Sequence, residues 1–192
     1  MEKTVVIGNE TYRMRASALI PRLYRAKFGR DLITDMRRLQ GKYMKIAELP
    51  ADADAETRAA AELSVMDLTV FEDIAWLMIK HAGETIPDTP DEWLDSIDGV
   101  FSVYQILPVI LSVWNANQKT TSRAKKKVRE TIREPTGAEF MLRCAELNLS
   151  DDALRGMTMG MVYDMLTERA NDREDYPIRA TQADIEAYFG GG

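Results

Sequence analysis

Residues 67–81, DLTVFEDIAWLMIKH, carry the most apolar helical pattern in the chain. Apolar side chains fall on most faces of a helix drawn through this stretch, and such a helix has to be buried over most of its surface. We therefore expect the stretch to be the second half of a long central helix, from about residue 55 to residue 81, against which the other elements pack.

The only convincing strand signal lies at the N-terminal end, in KTVVIGNETYRM at residues 3–14. Two short β-prone runs flank Gly8 and Asn9, and glycine readily takes the positive φ that a tight hairpin turn requires. The sequence therefore predicts an N-terminal β-hairpin.

Helix start and stop signals follow the hairpin. Ser17 is placed to cap a first helix, ALIPRLYRAKF, which Gly29 ends, and Asp31 is placed to cap a second. Thr89 and Thr136 are each followed three residues later by a glutamate, which is the spacing of a capping box. We expect a helix to begin at each of these caps.

The stretch FSVYQILPVILSVWNAN, residues 101–117, leaves two alternatives open. Ser102 and Gln105 have the capping-box spacing of a helix, whereas Pro108 within an apolar run also suits a helix kink or a buried strand. Beyond residue 136 helical patterns return. The fold class we predict is mainly α, with an N-terminal β-hairpin, a helical bundle and a smaller helical C-terminal extension.

Positive charge is concentrated in one short stretch around RAKKKVRE, residues 123–130. Residues 119–134 contain seven basic and two acidic side chains, a local charge of +5 in a chain whose net charge is -6. We divide the chain there, into a body of residues 1–118, a basic linker of residues 119–135 and an extension of residues 136–192. A mobile, solvated connector is the interpretation we favour for the linker.

Nucleic-acid binding is the alternative role of the basic stretch. A small nucleic-acid-associated regulator would use residues 123–133 to contact phosphates, which gives weak, salt-sensitive affinity. The stretch has no aromatic side chain on which bases would stack, and the rest of the chain is acidic. We therefore do not expect nucleic acid to be a partner.

Catalytic and metal-binding patterns are lacking in the sequence. His81, the only histidine, falls in the last turn of a helix, where we expect a partly charged imidazole to meet the negative end of the dipole. Cys144, the only cysteine, is expected to be a buried apolar residue. The acidic run DADAE, residues 52–56, lacks the glycine and glutamate of a calcium loop at Thr57 and Leu63. We predict no enzyme activity, no cofactor and no metal.

A membrane location is not indicated either. No apolar run approaches the roughly 20 residues that a membrane-spanning helix needs, and no signal peptide is visible. A single cysteine suits a reducing compartment. We expect a cytoplasmic protein.

Methionines recur near the C-terminal end and mark the candidate partner-binding residues. Met157, Met161 and Met165 have four-residue spacing, and Tyr163 lies among them. Methionine side chains adapt to varied partners, although core packing would account for the same spacing.

Three stretches resemble a known family in their order along the chain. They are ASALIPRLYRAKFGRDLITDMRRL at residues 16–39, FSVYQILPVILSVWNAN at residues 101–117, and LNLSDDALRGMTMGMVYDMLTERANDREDYPIRATQADIEAYFG at residues 147–190. Together they resemble the tail assembly chaperones of long-tailed (siphovirus-type) phages and prophages of Gram-positive bacteria.

The resemblance implies a mostly helical, non-enzymatic protein that works in the host bacterial cytoplasm and is absent from the mature virion. Such chaperones bind the tape measure protein, keep it soluble and bring tail tube subunits to it. In that scheme the body engages the tape measure protein and the extension recruits the tube protein. Self-association, as rings or filaments, is an arrangement that would suit a long client.

The resemblance also suggests how the extension is added. Many members are made in two lengths by a programmed ribosomal frameshift, and Lys125, Lys126 and Lys127 suit a run of adenines on which a ribosome slips. The gene tests this hypothesis, because codons 118–136 without a slippery heptamer and an overlapping frame would contradict it.

Overall fold

The computed structural model describes residues 1–47, 68–125, 133–172 and 182–189. In these residues an antiparallel hairpin is followed by nine helices, so the predicted fold class is confirmed. The elements are β1 (Glu2–Ile7), β2 (Glu10–Arg15), α1 (Ile20–Phe28), α2 (Leu32–Ala47), α3 (Leu68–His81), α4 (Pro90–Ser96), α5 (Val103–Gln118), α6 (Gly137–Glu146), α7 (Asp151–Gly156), α8 (Met159–Asn171) and α9 (Gln182–Phe189).

The hairpin turns at Gly8, as predicted, with a positive φ of 59°. Strand alternation places Val5 and Tyr12, which are paired across the two strands, on the buried face. Strand β2 lies against α3, and β1 lies against α5. A Cβ on Gly8 would come within 2.3 Å of the Asp98 carbonyl oxygen, so only glycine permits the turn to approach this loop.

Helix α3 is central, as its apolar pattern predicts. Ten of its fourteen residues are buried, and it contacts β2, α1, α4 and α5. The first part of the predicted long helix, residues 55–67, lies outside the described residues. The hydrophobic core therefore forms around α3, between the hairpin on one side and α1 on the other.

A buried polar group joins the first three helices. The Tyr24 hydroxyl of α1 donates to the Asp35 carboxylate of α2 at 2.9 Å. Arg30, in the connection between these helices, pairs with Asp35 and with Asp73 of α3. Because each carboxylate has a cationic partner, the buried charges are compensated, and the contacts link α1 and α2 to α3.

Most predicted helix boundaries agree with the structure. Gly29 ends α1 in the left-handed conformation, and the Asp31 carboxylate accepts from the N–H of Thr34 in α2. The Thr89 and Thr136 hydroxyls accept from the backbone three residues on, at the starts of α4 and α6. Local capping chemistry therefore decides these helix starts.

Two sequence expectations are corrected. Helix α5 runs through Pro108 to Gln118, so the strand alternative is wrong; Pro108 lies on the exposed side of the helix. Ser17 does not cap α1, which begins at Ile20 after Leu19 without a side-chain cap. The Ser17 hydroxyl is buried instead and contacts the imidazole of His81.

Candidate protein-binding surface

Helices α6, α7 and α8, which follow the basic linker, share one core with the body. Helix α6 packs against α1 and α2, and α8 packs against α5 and α6. Phe140, Leu154 and Val162 are buried in the same hydrophobic cluster as the hairpin and α3. The described residues of the predicted extension, up to residue 172, are therefore packed on the body through apolar contacts.

The start of α8 is fixed by a buried amide. Asn117 is fully buried; its Nδ2 donates to the Ser17 carbonyl and its Oδ1 accepts from the Met159 N–H, both at 3.3 Å. The Thr158 hydroxyl caps the helix by accepting from the Met161 N–H at 3.1 Å. These bonds set which side of α8 faces the core, and therefore which methionines face solvent.

The described part of the basic linker lies along α8. The Asp164 carboxylate accepts from the N–H groups of Thr121, at 2.8 Å, and Ser122, at 2.9 Å, and these bonds lower the Asp164 pKa. The side-chain Nδ2 of Asn171 donates to the Arg123 carbonyl, and its Oδ1 accepts from the Lys125 N–H. Backbone groups of residues 121, 122, 123 and 125 are therefore bonded to α8 and not to solvent, while the mobility expected of the linker stays a prediction.

The basic side chains of this segment nevertheless face solvent. Lys119, Arg123 and Lys125 are exposed. Lys126, Lys127 and Arg129 lie outside the described residues. Close packing of the linker backbone is possible because Gly160 has no side chain, since a Cβ there would come within 1.9 Å of the Lys119 carbonyl oxygen.

The four candidate partner-binding residues fall into two pairs. Met161 is 47% exposed and Met165 38% exposed, one turn apart on α8. Met157 and Tyr163 pack against the core, and the Tyr163 ring lies 5.6 Å from that of Phe140. Met157 does not share the exposed face of Met161 and Met165 because it precedes the helix, so the four-residue helical spacing does not apply to it.

Other exposed apolar side chains extend the candidate surface beyond the sequence-based set. Leu142 on α6 is 56% exposed, and Tyr188 and Phe189 on α9 are 84% and 80% exposed. A helical projection of α6 would have indicated Leu142, because it lies off the face shared by Phe140 and Cys144. For Tyr188 and Phe189 the sequence signal is their adjacency at the end of a short helical pattern.

The expected chemistry of His81 is corrected. Its Nε2 lies 2.8 Å from the Ser17 hydroxyl, and the ring is buried. Burial, followed by the nearby positive charges of Arg15 and Arg155, lowers the His81 pKa to about 4. The imidazole is therefore neutral at pH 7 and is not the partly charged group that the helix dipole suggested.

Cys144 is buried, as expected, and burial raises the pKa of its thiol to about 11. A thiol in this state is a poor nucleophile at neutral pH. Within the described ranges no cluster of three or more His, Cys, Asp or Glu side chains could hold a metal ion. The acidic run at residues 52–56 lies outside those ranges.

Comparison with known proteins found no family model, no curated protein and no solved structure that matches the chain. Across the described residues, no helix combines the length and apolarity needed to cross a membrane.

Proposed function

We propose that this protein is a tail assembly chaperone of a long-tailed phage or prophage. It binds the tape measure protein, keeps that client soluble and recruits tail tube subunits during assembly in the host cytoplasm, without becoming part of the mature virion. It acts by reversible shielding of apolar surface on its client, and not by catalysis. The proposal is based on the order of the three family-like stretches in the sequence.

The structural observation that supports a protein-binding role is the exposure of Met161 and Met165. Both lie on α8, whose position Asn117 and Thr158 fix, while Met159 and Val162 of the same helix are buried in the core. Two unbranched, polarizable side chains presented by an anchored helix suit contact with varied apolar segments. The exposed Leu142 adds apolar area on α6, the helix against which α8 packs.

The shared core determines how the proposal has to be tested. Truncation after residue 118 would remove Phe140, Cys144 and Val162 from the hydrophobic cluster. A shortened chain would therefore expose apolar surface because its core is incomplete, whether or not that surface binds a client. The test is therefore co-expression of the full chain with the tape measure protein, and separately with the tube protein. We expect each partner to co-purify and the soluble yield of the tape measure protein to rise.

A chain that neither co-purifies with these partners nor raises their soluble yield would overturn the proposal. The second candidate is a nucleic-acid-associated regulator, which the exposed Lys119, Arg123 and Lys125 favour. Retention on DNA that is lost as salt rises from about 50 to 200 mM would support this candidate. Absence of retention at the lower concentration would exclude it.

A further inference from the structure

A positively charged cleft lies between α1, α3 and α7. Its volume is about 260 Å³, and three basic side chains line it, those of Lys27, Lys80 and Arg155. Trp76 and the neutral His81 contribute to its wall. The cleft thus combines cationic groups with apolar surface, which suits an anionic segment that also carries aromatic side chains.

The positive charge of the cleft is only partly neutralised. Lys80 pairs with the Asp88 carboxylate at 2.8 Å, and Lys27 donates to the Asp88 carbonyl at 2.9 Å. Within the described parts of the chain, the Arg155 guanidinium makes no ion pair. Three cations therefore face one carboxylate, in a chain whose net charge is -6.

Helix α9 has complementary chemistry. Residues 182–189, QADIEAYF, contain two acidic and no basic residues. The rings of Tyr188 and Phe189 contact each other at 5.3 Å and are 84% and 80% exposed. An eight-residue helix is marginal in water on its own, so packing of its apolar side chains against another surface would stabilise α9.

The chain between α8 and the cleft is long enough to reach it. The carbonyl of Met157, just before α8, accepts from the Ala18 N–H at 2.8 Å. Met157 is two residues from Arg155, which lines the cleft. The 13 residues of α8 carry the chain about 20 Å away. Ten residues, 172–181, then precede α9 and can span up to about 33 Å.

Tyr188 and Phe189 are exposed in the structure and are not among the residues that line the cleft. We propose that the cleft receives helix α9 of the same chain in a second, docked arrangement. Glu186 faces the cations of Lys27 and Arg155, and the aromatic pair covers the apolar wall of the cleft. The docked helix hides its aromatic side chains, and a partner that takes up either surface exposes the other. This contact is independent of the identity of any client.

Hydrogen exchange of the α9 amides in the full-length protein tests the contact. We expect these amides to exchange at least tenfold more slowly than in a free peptide of residues 173–192. Arg155→Glu should bring exchange to the rate of the peptide, and so should Glu186→Lys, which cannot disturb the core because Glu186 is exposed on α9. The matched control is Arg25→Glu, an exposed position on α1 that does not line the cleft and should leave exchange unchanged.

Combining Arg155→Glu with Glu186→Lys should restore slow exchange, because the charges are exchanged across the contact. Dilution from about 50 to 0.5 μM should leave it unchanged, because the helix and the cleft belong to one chain. Exchange of the wild-type helix at the rate of the peptide would overturn the proposal. So would protection that Glu186→Lys leaves intact, or protection that dilution removes, which would assign the contact to a second copy.

Discussion

The carboxylate of Asp31 accepts a hydrogen bond from the backbone N–H of Gly137 at 2.8 Å. The same carboxylate accepts from the Thr34 N–H at 3.1 Å. One side chain therefore satisfies unpaired donors at the first turns of two helices, α2 of the body and α6 beyond the linker. Asp31 couples the capping of α2 to the docking of α6.

Asp31→Ala should lower the free energy of unfolding by about 2 kcal/mol. Loss of a single cap costs about 1 kcal/mol, and here the N–H groups of Thr34 and Gly137 both lose their acceptor. Urea denaturation followed by circular dichroism measures the change. Asp95→Ala is the control: Asp95 is exposed on α4, and its substitution should change stability by less than about 0.5 kcal/mol. Equal effects of the two substitutions would contradict the double cap.

Asn117→Leu should be more damaging, despite its similar volume. It leaves the buried Met159 N–H without an acceptor and removes one of the two donors to the Ser17 carbonyl, which keeps the bond from the Ile20 N–H, at a total cost of about 3 kcal/mol. Because these bonds hold the start of α8, limited proteolysis between residues 118 and 136 should also become faster.

The control for this substitution lies two residues away. Asn115→Leu changes the same residue type on the same helix, at an exposed position. It should leave both the unfolding midpoint and the rate of proteolysis near the wild-type values. Proteolysis of the Asn117 variant at the wild-type rate would show that α8 does not depend on this amide.

The features that could be predicted from the sequence are local. Gly29, Thr89 and Thr136 act on backbone groups within a few residues of themselves, and their roles follow from spacing alone. The same holds for the bond of Asp31 to Thr34, but not for its bond to Gly137, which is 106 residues away. The burial of α3 follows from its apolar faces in the same way.

The features that could not be predicted depend on tertiary contacts. Ser17 has the residue type of a cap, but its hydroxyl contacts His81, which is 64 residues away. The basic cleft draws Lys27, Lys80 and Arg155 from three helices, so no linear charge pattern indicates it. Which methionines of the candidate site are exposed depended on where α8 begins, and element boundaries are poorly determined by local pattern.

The neutrality of His81 should make stability depend on pH. Its pKa is about 4 in the folded protein, below the ordinary value of 6.5 expected after unfolding. Between these values the unfolded chain binds more protons, so the free energy of unfolding falls as the pH falls. The loss attributable to His81 should be about 2 kcal/mol between pH 7.5 and pH 5.

Two measurements check this expectation. His81 is the only histidine, so its imidazole resonance in NMR spectra reports the folded pKa without ambiguity. Urea denaturation at both pH values, compared with His81→Gln, isolates the contribution of this residue, because the carboxylates titrate in both proteins. An imidazole that titrates near pH 6.5 in the folded state would refute the prediction.

The buried thiol of Cys144 should be protected from reagents. Its pKa of about 11 leaves little thiolate at pH 8, and the side chain is 3% exposed. A thiol-specific chromogenic reagent should therefore react at least 100-fold more slowly with the folded protein than with protein unfolded in urea. Comparable rates would show that the core opens around α6, since the chain has no other cysteine.

Replacing both Met161 and Met165 by glutamate should weaken client binding without unfolding the protein. Both side chains are substantially exposed, so two charges in their place cost little stability but oppose burial of this surface against an apolar client. In co-purification with the tape measure and tube proteins, we expect recovery of at least one partner to fall about tenfold or more. The control is Met44→Glu, because Met44 is 51% exposed on α2 and lies outside the candidate surface. Recovery of both partners at wild-type levels by the double variant, with an unchanged unfolding midpoint, would remove these two methionines from the binding surface.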